Sequence, residues 1–556
     1  MTTSIAGRFA EVASAHPTLP ALICPDRTMT FEQLAGAAGA VAARIRGGPV
    51  GLRIRDGAKM VTAILGALAA GQIYVPLDPG YPEDRLRLMA SDAGAALTLT
   101  DDDIDLNAEA PLEVKDGREA YILYTSGSTG RPKGVVQRHA GVLYQALGHV
   151  SRLGITPADR VSVLSSFGYD MAVTDTFCAL PSGAAAVPID LKRTGMAELA
   201  EALRRHGVSI YHSTPTVFRH LLGAVQGRGL PSIRAVVLGG EKVNRSDVDR
   251  ARAACSPELV FINGYGATEI SFVAQNHLRP GDDAGSVIVP IGKPLPGCEI
   301  ELSAEGEIVI TSEFLATYWN SSGGGIEELG GGRRRYRTGD LGEWLPDGSL
   351  AYLGRLDRQI KLRGYRIEPA EIEHALVSQP GVREAAVRVA GDTLVAYVVG
   401  EAEEDDLRRA LQGSLPDFMV PARFVTMDAL PLTPTGKVDM RALPDPAAVS
   451  VLDGGAPQSL LEKQIAATWC EVLGSGEVGR EVNFFDAGGD SLRLARVQQE
   501  LEAALDIRIP LTDMLAHPSV ASLARHLENG QSTIDAVLDR IASRTAQRAA
   551  HRRARR

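Results

Sequence analysis

Residues 121–134 read YILYTSGSTGRPKG. An apolar, β-branched and aromatic run, Tyr121–Tyr124, leads straight into a loop of Gly, Ser and Thr, and Lys133 follows. The first part predicts a buried strand. In the second, Gly lets backbone N–H groups converge, the hydroxyls add donors, and one cation stands by. Such a loop can cradle phosphate or be a plain turn. It is not the GxxxxGK[ST] phosphate loop, because Gly130 and Lys133 are only three apart.

Outward from this stretch, helical-period segments alternate with short β-branched runs through about the first 350 residues. MTFEQLAGAAGAVAARIR and AELAEALRRHG read as helices; QIYVPLD, VSIYHST and IRAVVLGGE read as strands. This alternation predicts a large α/β core with largely parallel sheets. Val61–Leu77 is the most apolar stretch, but 17 residues interrupted by Gly66, Gly71 and Gln72 fall short of a span of about 20. It reads as a buried helix followed by a buried strand.

Near Gly354 the texture changes to strand, turn, helix and two further strands, a small α+β unit. Pro444–Pro457 is a Pro-, Gly- and Ala-rich linker. Beyond it SLLEKQIAATWCEVLG and SLRLARVQQELEAALD carry helical periodicity, the second through Leu494, Val497, Leu501 and Leu505. An all-α, four-helix unit is predicted. The expected limits are 1–354, 355–445, a linker at 446–457, 458–530, and a basic tail at 531–556. The arginine-rich tail reads as a solvated terminus or as a contact for an acidic partner.

A chain of 556 residues with 45% hydrophobic content can form several cores, and its net charge of −10 lacks the footprint of a nucleic-acid binder. The five scattered cysteines show no CxxC spacing, so neither a disulfide framework nor a zinc site is expected. With no signal-peptide pattern and no membrane span, the expected location is the cytoplasm.

YTSGSTGRPKG resembles the signature of the adenylate-forming superfamily, specifically the amino-acid-activating domains of nonribosomal peptide synthetases. Further motifs follow in the family's order: MTFEQL, LAAGQIYVPLD, NGYGATE (263–269), YRTGDL (336–341), GRLDRQIKLRGYRIEPAEIE (354–373), LPDFMVP (415–421) and TPTGKVD (433–439). The resemblance spans essentially residues 5–445. It implies an ATP-dependent ligase that joins a carboxylate to the α-phosphorus of ATP, where cations and donors must offset the approach of two anions.

Carried onto this sequence, the resemblance implies that Thr125, Ser126, Gly127, Ser128, Thr129, Gly130 and Lys133 handle phosphates, and that Glu269 holds Mg²⁺. Asp340 accepts from the ribose diol and Arg355 lies nearby. Tyr265 stacks on adenine, Asn263 meets its edge, Gly266 and Thr268 belong to the same ATP motif, and Tyr352 flanks the nucleotide. Lys437 bridges the substrate carboxylate and the phosphate. Asp357 is the hinge, after whose rotation the segment near Gly364 shapes a thiol tunnel. Read singly, each of these residues could equally be a surface ion pair or a turn.

Asp170, in SSFGYDMAVTDTFCALPSGA, stands where amino-acid-activating relatives pair the substrate ammonium. The pocket implied beside it is Met171, Thr174, His212, Val237, Gly239, Gly264, Phe272 and Val273. This set is similar to pockets for aspartate and asparagine and points to a small polar amino acid or a diamino acid. A neutral aliphatic amino acid, or an acyl- or aryl-CoA-type ligase, is the alternative. NFFDAGGDSLRLA (483–495) resembles the attachment motif of peptidyl carrier proteins, with Ser491 to receive 4'-phosphopantetheine from a separate transferase.

Two departures stand out. Ala267 replaces the family's usual Pro, and Thr311–Arg335 matches the family poorly, its Gly-rich part reading as a surface loop; dependence on an MbtH-type helper is left open. No HHxxxDG or GxSxG stretch occurs, so the expectation is a free-standing loading unit whose product is used by a downstream enzyme in trans.

Overall fold

The computed structural model describes residues 4–127, 131–191, 193–225, 227–285, 287–320, 325–362, 364–390, 393–432, 438–444, 455–474, 476–484, 487, 489, 491–505, 507, 509, 513, 514 and 517–530. The expected basic tail therefore lies outside the described residues, as does most of the linker. The chain divides into two compact units. One runs through Ile372 and takes in Gln412–Asp417; the other holds Glu373–Leu411 and the chain from Phe418 onward.

The first unit is built on two sheets with helices between their strands, as the alternating pattern predicts. The larger has nine strands, in the order Lys293–Pro294, Ser271–Leu278, Val260–Ala267, Ala235–Gly239, Ile210–Ser213, Arg160–Val163, Ala185–Pro188, Pro20–Ile23 and Thr28–Thr30. Its centre, from Val260–Ala267 to Pro20–Ile23, is parallel and its edges antiparallel. The six-stranded sheet contains the strand Glu119–Thr125 between Tyr74–Pro76 and Lys133–Arg138. Tyr121–Tyr124 is buried throughout. Val61–Leu77 divides as predicted, into a buried helix, Gly57–Ala69, and a buried strand, Tyr74–Pro76. A third, five-stranded antiparallel sheet holds Arg333–Trp344, which carries Asp340, paired with Leu350–Arg355.

Local chemistry sets the helix starts. Thr30 and Gln33 form a reciprocal capping box on Phe31–Arg44, and the Asp56 side chain accepts from Lys59 N at the head of Gly57–Ala69. One expectation fails. In the Gly-rich stretch before Tyr336, of which 321–324 lie outside the described residues, Ile326–Gly330 and Arg333–Trp344 pair as antiparallel strands. Gly330–Gly332 all have positive φ and make the tight turn that glycine allows, which a reading of composition alone mistook for a loop.

In the second unit a three-stranded sheet, Val382–Ala390, Thr393–Gly400 and Arg423–Met427, carries the small α+β part. The helices Leu460–Leu473, Ser491–Leu505 and Val520–Gly530 bury Leu494, Val497, Leu501 and Leu505 with Trp469 and Phe484 in one core. None of the five cysteines is paired. Among the described residues no helix is long and apolar enough to cross a membrane.

Candidate active site

Three strand ends of the first unit converge on the candidate site. Thr125 ends its strand opposite Lys133, with Ser126 and Gly127 buried beyond it. Ser128, Thr129 and Gly130 lie outside the described residues. The Lys133 ammonium sits 3.1 Å from the Tyr318 ring centre, and burial lowers its pKa to about 8. Asn263–Ala267 runs along a central strand, and the turn after it presents Glu269, which is 1% exposed. The Ala267–Ser271 pair closes this hairpin without the family's Pro.

Glu269 receives the Tyr318 hydroxyl at 2.9 Å and the Arg366 guanidinium at 3.0 Å. Burial pushes its carboxyl up, but Arg366, with the Tyr318 hydroxyl and Lys133, holds it below the usual range. Asp340, 3% exposed, accepts from Tyr265 Oη at 2.8 Å, Arg355 Nη1 at 2.5 Å and Lys361 Nζ at 3.2 Å. Tyr352 lies half-buried with its ring 6.3 Å from that of Tyr265. Asn263 spends its amide donors on the carbonyls of Val289 and Pro290. Asp357 is tied to Arg355 at 2.6 Å. Gly266 and Thr268 stand half-buried on either side of Ala267.

The strand pair Ile360–Leu362 and Tyr365–Ile367 belongs to this same compact unit. Ser126 Oγ donates to Arg366 O at 2.8 Å, and Gly127 N to Glu371 at 3.2 Å. Glu371, 2% exposed, also pairs with the buried Arg85 at 2.7 Å. Gly364 has φ +82, and a Cβ there would stand 2.2 Å from Thr214 Cγ2, so conformation and space both demand glycine. The segment near Gly364 thus lies against the core strands. The ion pairs of Arg85, Lys361, Arg366 and Glu371 were absent from the sequence reading, although the last three fall inside the quoted GRLDRQIKLRGYRIEPAEIE.

A small cleft is lined by Asp170, Thr174 and Ser271, with Tyr121, Gln137 and Gln145. Asp170 opens the helix Asp170–Ala179, and burial raises its carboxyl pKa to about 6. Thr174 Oγ1 is 3.1 Å from Ser271 Oγ. Met171 is half-buried, while Val237 and Val273 are fully buried. A Cβ on Gly264 would meet the Phe272 ring at 2.3 Å, and one on Gly239 would be 3.5 Å from it. The two glycines therefore leave the space that the Phe272 ring occupies. His212 is already engaged by Asp175, at 2.6 Å. Asp175 was missed, though an acidic residue inside the apolar run MAVTDTFCAL was a signal for it.

Lys437 lies outside the described residues. Ser491 is the first residue of its helix, and its side chain is likewise outside them.

The family model for AMP-binding enzymes matches residues 9–119 and 107–316, together more than half of the chain. The chain belongs to the AMP-binding enzyme family. The AMP-binding enzyme C-terminal domain matches 371–437, and the phosphopantetheine attachment site matches 463–527. Bacitracin synthase 1 of Bacillus licheniformis is 34% identical over 93% of this chain and 10% of its own length; tyrocidine synthase 3 of Brevibacillus parabrevis is 33% identical over 93% of this chain and 9% of its own. The chain thus spans about a tenth of the length of these curated relatives. Among solved structures, holo-PA1221, an NRPS protein containing adenylation and PCP domains, superposes with a TM-score of 0.77 at 26% identity, covering 95% of this chain and 96% of that one. The four-domain synthetase holo-AB3403, bound to AMP and glycine, gives 0.56 at 27%, covering 95% and 42%. This AMP-binding enzyme is therefore an adenylate-forming ligase of nonribosomal-peptide-synthetase type, an adenylation domain fused to a carrier domain.

Proposed function

We propose that the chain activates an amino acid with ATP as its aminoacyl-AMP and then loads it, as a thioester, on the phosphopantetheine arm of its own carrier. The domain limits proposed are those read from the sequence, with a four-helix carrier, three of whose helices are among the described residues. The observation that supports an amino acid rather than an aryl or fatty acid is Asp170, a carboxyl that lines the cleft and would pair with a substrate ammonium. The proposed substrate is small and polar, of the aspartate, asparagine or diamino-acid kind.

In the first half-reaction Thr125, Ser126, Gly127, Ser128, Thr129, Gly130 and Lys133 hold phosphate oxygens, and Lys437 holds the two reacting anions together. Tyr265, Asn263, Tyr352, Asp340 and Arg355 orient the nucleoside. Mg²⁺ is ordinarily held by one or two carboxylates together with substrate phosphates, and the single buried carboxylate of Glu269 suits that donor set. Bound there, the metal would neutralise phosphate charge. Arg366 must first release Glu269. The observed arrangement, with Gly364 against Thr214 and Arg366 on Glu269, suits the second half-reaction, in which phosphates have left and a thiol enters. For that step Ser491 must carry the arm, attached by a phosphopantetheinyl transferase.

Amino-acid-dependent exchange of labelled pyrophosphate into ATP tests the first step, and a mass gain of one aminoacyl group on the pantetheinylated protein tests the second. Absence of exchange with every amino acid, on folded protein supplied with any MbtH-type helper, overturns the proposal.

A further inference from the structure

Asp175 lies in the middle of the helix Asp170–Ala179 and is 2% exposed; His212, on the strand Ile210–Ser213, is equally buried. His212 Nδ1 and Asp175 Oδ1 are 2.6 Å apart. Among the described residues, neither His212 Nε2 nor Asp175 Oδ2 has a hydrogen-bond partner. Buried polar atoms without partners are rare, because leaving them dry destabilises the fold. Here two occur on one pair, five residues along the helix from the carboxyl that would take the α-ammonium.

With the Asp175 carboxylate accepting a hydrogen bond from Nδ1–H, the neutral ring keeps its hydrogen on Nδ1 and offers Nε2 as a bare acceptor. The charged groups facing this ring are Asp170 and Asp175 from one helix; the buried ring of His149 approaches from another, and both imidazoles pack on Phe272 at 5.6 Å. A carboxylate side chain would enter this surrounding against two acids. A methyl would leave the acceptor dry.

We propose that the buried Asp175–His212 pair reads the substrate side chain, selecting amino acids whose short side chain ends in a hydrogen-bond donor (hydroxyl, amide N–H or ammonium) over isosteres that end in methyl or carboxylate. Asp175 is a positioning residue that sets the tautomer, and His212 makes the contact. The inference rests on the amino-acid-activating reading above and narrows it, removing aspartate from the substrates named there.

The test is pyrophosphate exchange by the full chain with isosteric pairs: threonine and valine, serine and alanine, asparagine and aspartate, 2,3-diaminopropionate and 2-aminobutyrate. In the best-used pair the donor member should lead by about 10–100-fold in kcat/KM, the discrimination typical of one buried hydrogen bond left unmade. In Asp175→Asn the amide can donate to Nδ1 and drive the proton to Nε2, so the preference for asparagine over aspartate should collapse or invert. A merely structural role would lower both members together. Preference for the methyl or carboxylate member by the wild-type chain overturns the inference while leaving amino-acid activation standing, and so does an unchanged ratio in Asp175→Asn. The wild-type panel decides even if that variant does not fold. No exchange with any amino acid overturns activation itself, and this inference with it.

Discussion

Glu371→Gln should separate the two half-reactions. The Glu371 carboxylate is 2% exposed, pairs with Arg85 at 2.7 Å, and accepts from Gly127 N at 3.2 Å. Arg85 is itself only 7% exposed. Removing the negative charge leaves a desolvated guanidinium without its counter-ion, a change that typically costs about 3–5 kcal/mol. Gln keeps an acceptor for Gly127 N–H, so the low end applies. A penalty of about 3 kcal/mol, specific to the arrangement with Glu371 docked, lowers its population roughly 10²-fold relative to any arrangement without the contact.

If the docked arrangement is the one that serves thiol transfer, loading from supplied aminoacyl-AMP should fall by about that factor. Pyrophosphate exchange should hold or rise slightly, because Gly127 N–H is then easier for phosphate to claim. Stopped-time mass spectrometry of the loaded carrier and the exchange assay measure the two separately. Adding Arg85→Met should recover part of the loss, since the stranded charge is gone. Equal losses in both half-reactions, or none in either, would refute the reasoning.

Asp170 must be ionised to hold an ammonium. With its pKa at about 6, kcat/KM for the amino acid should drop roughly 10-fold between pH 7 and pH 5, read from exchange rates, and a flat profile would count against the role. Because burial raises this carboxyl, its contribution to stability falls as pH climbs from about 4 to about 6; Asp170→Asn should therefore melt higher at pH 7, by at most ~3 kcal/mol, while losing activity with every amino acid. Lys437→Ala should slow adenylation by ~10²–10³ and spare transfer from supplied aminoacyl-AMP, as expected for a charge contact made only in the first transition state. Ser491→Ala should abolish the pantetheine mass gain and leave exchange intact.

The layout of the first unit was legible because its signals are local. The strand before the Gly/Ser/Thr loop, the split of Val61–Leu77 and the helix read from MTFEQLAGAAGAVAARIR each depend on neighbours within a few residues. The electrostatics of the site were not legible for the opposite reason. His212 meets Asp175 across 37 residues, Arg366 meets Glu269 across 97, and Arg85 meets Glu371 across 286. No periodicity reports such pairs. Phe272 shows a subtler limit. The sequence offered two glycines and a phenylalanine as pocket residues, but only coordinates reveal that the ring occupies the space the glycines leave.

The contacts made on the candidate nucleotide site share one property. Glu269 is held by Arg366, Asp340 by Arg355 and Lys361, and the N–H of Gly127 by Glu371. On the proposed reading these same atoms serve metal, ribose and phosphate in the first half-reaction. A buried carboxylate oxygen cannot be fully engaged by a guanidinium and by a magnesium–nucleotide at once, and one backbone N–H cannot donate fully to a carboxylate and to a phosphate. The segment from Lys361 to Glu371 and the nucleotide therefore compete for common donors and acceptors. The competition also solves a stability problem, because carboxylates arranged to receive a metal and a sugar would stand buried and uncompensated once the product phosphates depart. The segment's Lys361 and Arg366 supply the missing cations for that interval. Arg366→Met should accordingly leave Glu269 without its strongest counter-charge, raise the Glu269 pKa, and tighten magnesium–ATP binding at neutral pH while impairing transfer. Isothermal titration with magnesium–ATP distinguishes this from a folding defect, since a misfolded variant would bind more weakly, not more tightly.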